Sequence, residues 1–66
     1  MQVHEVIKKN ITDRGIKQKF VADQIGISPE LFRRSIEGKR KIPADEFVAI
    51  CNVLSLQRSD FQNVAQ

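Results

Sequence analysis

The stretch Gln18-Lys19-Phe20-Val21-Ala22-Asp23-Gln24-Ile25-Gly26-Ile27-Ser28-Pro29-Glu30-Leu31-Phe32 decides how this chain folds. Phe20, Val21 and Ile25 recur at helical spacing, and Gly26 stands where a helix over residues 18–25 must stop. Ser28-Pro29-Glu30 then starts another helix. The serine hydroxyl can cap it, the proline needs no amide partner at the first helical position, and the glutamate suits the positive end. This helix reaches Glu37 and stops at Gly38. Ala22 places a small side chain where the two helices cross, and Gly26 supplies the left-handed residue of a sharp turn. Val21, Ile25, Ile27, Phe32 and Ile36 point inward and fix the angle between them.

Working outward, Val3, Val6, Ile7 and Ile11 predict an amphipathic helix over residues 2–13, with Gly15 to end it and Arg14 at its negative end. Pro43-Ala44-Asp45-Glu46 opens a fourth helix carried by Phe47, Ile50, Cys51 and Leu54. A short fifth helix over residues 58–65 has Phe61 and Val64 as its apolar positions. No alternating β-branched run is bounded by turns, so no strand is expected. The expectation is an all-α, compact five-helix domain with loops of two to five residues. Phe20, Phe32, Phe47 and Phe61 fit core positions, which leaves no exposed aromatic to stack on single-stranded bases.

The chain has 66 residues, 41% hydrophobic and 29% charged, the balance of one small globular domain spanning 1–66. No repeat or low-complexity segment interrupts it. The longest apolar run, residues 47–51, is too short to span a membrane, and no apolar block follows the N-terminus as in a secretory signal. One cysteine, Cys51, excludes an internal disulfide and a cysteine-based zinc site. An intracellular protein is expected. The net charge of +3 is unevenly spread: residues 8–41 hold ten of the eleven Lys/Arg and four acids, a local +6. A basic front with a mildly acidic rear points to a polyanionic partner on one face.

Two helices crossing at Ala22 and turning at Gly26 make a helix-turn-helix. Residues 16–54 resemble the phage-repressor-like family of such proteins, the Cro and C1 (lambda-repressor-like) type. Ala22, Gly26, Ile27-Ser28, Ile36-Glu37-Gly38-Lys39-Arg40-Lys41 and the helix from Glu46 to Leu54 carry the likeness. The resemblance implies a five-helix fold with the helix-turn-helix at helices 2 and 3, double-stranded DNA as ligand and a role in regulating transcription. Four positions depart from the family pattern. Lys17 stands where Ser or Thr often precedes Gln18, Ser35 where an apolar residue is common, and Ser55 where glycine usually follows the fourth helix. Pro29 occupies a place where many members carry a base-reading polar side chain, so no base code is carried over.

On the third helix Phe32, Ser35 and Ile36 mark the core side, which turns Glu30, Arg33, Arg34 and Glu37 outward. Arginine suits bidentate hydrogen bonding to guanine O6 and N7, so Arg33 and Arg34 are the first candidate base readers, with Ser28 and Glu30 next. Glu30 has two readings, acceptance from cytosine N4 or an i,i+4 ion pair with Arg34. Lys17 and Lys19 flank the start of the second helix against its dipole, an arrangement better explained if a phosphate arrives there. Gln18 then holds a phosphate oxygen, as the matching glutamine does in the family. Lys39, Arg40 and Lys41 leave the third helix on a loop that lies beside the DNA backbone when that helix enters the major groove. His4 has no partner ligand nearby in sequence, so no metal and no cofactor is expected. Asp45 and Glu46 read as helix-start charges and Cys51 as a small core residue.

Three functional classes are open to such a chain. The first is a sequence-specific DNA-binding transcriptional regulator, a Cro/C1-like repressor of phage or mobile-element type in the bacterial cytoplasm and nucleoid. It pairs weakly in solution and binds its operator as a homodimer. The second is a protein-interaction module on the same fold, an antirepressor or adaptor. The third, an enzyme, lacks clustered His, Cys, Ser or paired carboxylates. A minimal regulator and the N-terminal domain of a longer repressor are both compatible with this length.

Overall fold

The computed structural model describes residues 1–64. Four helices, α1 (Val3–Arg14), α2 (Gln18–Ile25), α3 (Pro29–Ile36) and α4 (Ala44–Leu54), are followed by a 3₁₀ turn at Arg58–Phe61. Each helix sends two residues into the centre. Ile7 and Ile11 come from α1, Val21 and Ala22 from α2, Phe32 and Ile36 from α3, and Ile50 and Leu54 from α4. Three of these pairs are spaced i,i+4, which places both members on one face. α2 packs on both α3 and α4, and α1 closes the bundle against α3.

The turn between α2 and α3 is built as its sequence requires. Gly26 adopts φ +80°, and the N–H groups of Gly26 and Ile27 both donate to the Ala22 carbonyl at 3.0 and 3.1 Å. Ser28 Oγ accepts the Leu31 N–H at 3.2 Å, capping α3 with Pro29 in its first turn. Glu37 caps the C-terminal end, and Gly38 follows at φ +77°. Lys39 N–H donates to the Arg34 carbonyl at 2.9 Å, so the departing loop is fastened to α3. α4 ends on Ser55 at φ +54°, the only non-glycine residue at positive φ among the described residues.

The expected fifth helix is corrected to the single 3₁₀ turn; Ala65, where it was to end, lies outside the described residues. Phe61 and Val64 are its sole apolar anchors, too few to offset the dihedral ordering that a helical nucleus demands. Gln57 N–H instead donates to Asp60 Oδ2 at 2.6 Å, and Phe61 packs against Phe47 with ring centroids 5.4 Å apart. Two further contacts hold the chain ends. The N-terminal ammonium donates to the Asn63 carbonyl at 3.0 Å, and Arg14 Nη1 donates to the last carbonyl of α4, at Leu54, at 2.6 Å.

Phe20 is also corrected. It is 53% exposed rather than part of the core. Val21, Ala22 and Ile25 form the inner face of α2, and Phe20 lies about 160° round the helix from Ala22. The surface therefore carries an aromatic side chain after all.

Candidate nucleic-acid interface

The basic residues singled out from the sequence fall into three groups once their partners are known. Arg40 is braced within the fold. Its Nη1 and Nη2 donate to Glu46 Oε1 and Oε2 at 2.8 and 3.0 Å, and Nη1 also donates to Ser35 Oγ at 2.9 Å. Glu46 holds the Arg40 guanidinium above its ordinary pKa, while Arg40 holds the Glu46 carboxyl below the usual carboxylate value. Ser35, buried where an apolar residue is common, is explained by this cluster, since its hydroxyl donates to the Leu31 carbonyl and accepts from Arg40. The bracing ties the loop after α3 to the start of α4.

Arg33 belongs to a second group, neutralised along α3 itself. Its guanidinium pairs with Glu30 on one side and with Glu37 at 3.2 Å on the other, and Glu37 also meets Lys39 Nζ at 3.3 Å. Hydrogen bonding to Glu30 raises the Arg33 pKa, and Lys39 followed by Arg33 lowers that of Glu37. Glu30 therefore turns to Arg33 at i,i+3 and not to Arg34 at i,i+4. Two carboxylates bracketing one guanidinium outweigh the single pairing open to Arg34.

The remaining cations form the third group. Arg34, Lys17, Lys19 and Lys41 are exposed and make no ion pair or side-chain hydrogen bond among the described residues. Arg34 stands on the outward face of α3. Lys17 and Lys19 flank the start of α2, where Lys17 offers no capping oxygen and the first amides, near half-buried Gln18, precede any intrahelical bond. Lys39 and Lys41 lie along a groove shared with Gln2, His4 and Phe47. Ser28 stays exposed at the head of α3 with its oxygen engaged as the cap.

Three neighbours of the site escape a reading of the sequence. Leu31 is 40% exposed on α3, whereas Phe32 and Ile36 are fully buried. Glu46 reaches back across Pro43 to Arg40, a separation of six residues that follows no helical spacing. His4 packs on Gly38: a Cβ at Gly38 would stand 2.6 Å from the His4 Nε2. No three His, Cys, Asp or Glu gather into a metal-binding group among the described residues. Cys51 is half-buried, and that burial pushes its thiol pKa up, away from nucleophilic use. No described helix is long and apolar enough to cross a membrane.

A second helix turned outward from a tight glycine turn, with free cations on it and on both flanks, defines a helix-turn-helix of the DNA-binding class. Residues 6–64 match the family model of the Cro/C1-type helix-turn-helix DNA-binding domain, and the chain belongs to that family. No curated protein and no solved structure matches it.

Proposed function

We propose that residues 1–66 act as one sequence-specific DNA-binding domain, a transcriptional regulator of the Cro/C1 repressor kind from a phage or mobile element, working on the bacterial nucleoid. One observation carries the reading: unpaired Arg34 on the outer face of α3 has exposed lysines on both sides, Lys17 and Lys19 ahead of it and Lys39 and Lys41 behind. With α3 in the major groove, Arg34 is the leading base reader and Ser28 and Glu30 stand at the helix head. Arg33 reads only if it leaves Glu30 and Glu37. Gln18, the lysines and the loop braced by Arg40 meet phosphates on either side. Two copies bind one operator, with half-sites about one helical turn apart, and associate weakly without DNA.

Binding to duplex DNA across a salt series tests this. The four exposed lysines on phosphates, Lys17, Lys19, Lys39 and Lys41, give log K a slope of roughly −3.6 per bound copy against log salt. A second reading, the adaptor module, is favoured by Glu30 on the outward face and by exposed Phe20 and Val48. Absence of duplex binding at low salt decides for it.

A further inference from the structure

Leu31 is the exposed apolar residue of α3. A singly exposed leucine is ordinary on a protein surface. Leu31 differs by where it stands and how it is held. Its N–H is engaged by Ser28 Oγ at 3.2 Å and its carbonyl by Ser35 Oγ at 3.0 Å, so its backbone is held at both ends, by the serine that caps α3 and by one within it. It lies about 60° round the helix from Arg34, whereas Arg33 is about 160° away from it and drawn to Glu30 and Glu37. The free guanidinium and the exposed isobutyl group are thus i,i+3 neighbours, with Cβ atoms about 5–6 Å apart. Stacked base pairs rise about 3.4 Å each, so two side chains at that separation reach neighbouring pairs. In the major groove only thymine offers an apolar group, its C5-methyl.

We propose that Leu31 is a second base-reading residue, packing on the C5-methyl of a thymine beside the guanine that Arg34 reads. The half-site then contains a T·A pair next to a G·C pair. This rests on the DNA-binding reading above and adds the identity of a step in the operator. Arg33, closed off by its two carboxylates, holds the shape of the helix face and leaves the reading to Leu31 and Arg34.

The experiment selects duplexes from a randomised pool with the wild-type chain, then measures binding to the best duplex with each thymine beside a guanine replaced in turn by deoxyuridine. Deoxyuridine keeps the hydrogen-bonding edge of thymine and lacks only the methyl group. At one position per half-site the replacement weakens wild type about fourfold per methyl lost, from the burial value of one carbon. Leu31→Ala, made at a solvent-facing position, binds the thymine and deoxyuridine duplexes equally. A selected site without thymine beside guanine, deoxyuridine without effect on wild type, or Leu31→Ala still sensitive to the methyl group overturns this inference while leaving a sequence-specific regulator standing. Failure of the pool to enrich at all overturns that reading as well.

Discussion

Gly38 joins the outward helix to the lysine loop, and its replacement separates two physical costs that are usually merged. Gly26 and Gly38 share nearly the same backbone, φ +80° and +77°, but differ in surroundings. A Cβ at Gly26 meets nothing within 4 Å, whereas one at Gly38 lies 2.6 Å from His4 Nε2 and 2.8 Å from Cε1. The left-handed conformation costs a residue with a Cβ about 1–2 kcal/mol, of which about 0.4–1 is returned by the stiffer unfolded chain. Gly26→Ala should therefore lose about 0.5–1.5 kcal/mol. Gly38→Ala bears that cost and must also move the imidazole by about 1 Å to restore contact at roughly 3.5–4 Å. Turning His4 away from its rotamer adds about 0.5–1.5 kcal/mol. The excess should vanish in a His4→Ala background, giving a coupling of that size in the double-mutant cycle. Urea unfolding followed by far-ultraviolet circular dichroism measures all of these variants, the chain having no Trp or Tyr to report by fluorescence. Gly38→Ala no costlier than Gly26→Ala, or an excess that survives removal of His4, refutes the reasoning.

Ser55→Gly should stabilise the fold by about 0.5–1 kcal/mol, raising the midpoint of thermal unfolding by a few degrees, because Ser55 sits at φ +54° with its chain already closed by the Leu56 N–H on the Cys51 carbonyl. An unchanged or lowered midpoint contradicts it. Glu37 and Glu46 are held below their ordinary value near 4.5, so their contribution is complete above that pH and is lost as pH falls through their lowered folded values. Glu46→Gln should flatten the fall in urea midpoint on the acid side of about pH 4.5, and a slope identical to wild type excludes the Arg40 pairing as its source. Sedimentation without DNA should find mostly monomer at micromolar concentration; a tight dimer contradicts the weak self-association proposed.

Much of the fold is legible in the residues because each helix carries its own punctuation. Ser28-Pro29, Gly26 and Gly38 mark ends that the structure reproduces within a residue or so, and in three of the four helices the paired core positions stand four residues apart. The C-terminal segment is not legible in this way. Phe61 and Val64 have helical spacing, yet spacing does not say whether two anchors suffice to order a helix. Phe20 shows the opposite error, hydrophobicity taken for burial when its angular position on α2 faces water. For the candidate site, the positions of the cations are readable but their availability is not. Glu30 has suitable spacing to both Arg33 and Arg34, and only the second carboxylate at Glu37 tips the balance to Arg33. The Arg40–Glu46 pair crosses a loop, where no periodicity announces a contact.

Competition binding of two variants tests directly whether α3 reads bases while the flanking lysines hold the backbone. Arg34→Ala removes an exposed guanidinium without disturbing buried Phe32 or Ile36. Measured against the selected operator and a scrambled duplex, it should lose about 1–3 kcal/mol on the operator, little on the scrambled DNA, and its preference at one base pair. Lys39→Ala with Lys41→Ala should instead weaken both duplexes alike and flatten the salt slope by about two units. An operator-to-scrambled ratio left unchanged by Arg34→Ala would contradict the account, because the free arginine on which the reading rests would then be no more than another phosphate contact.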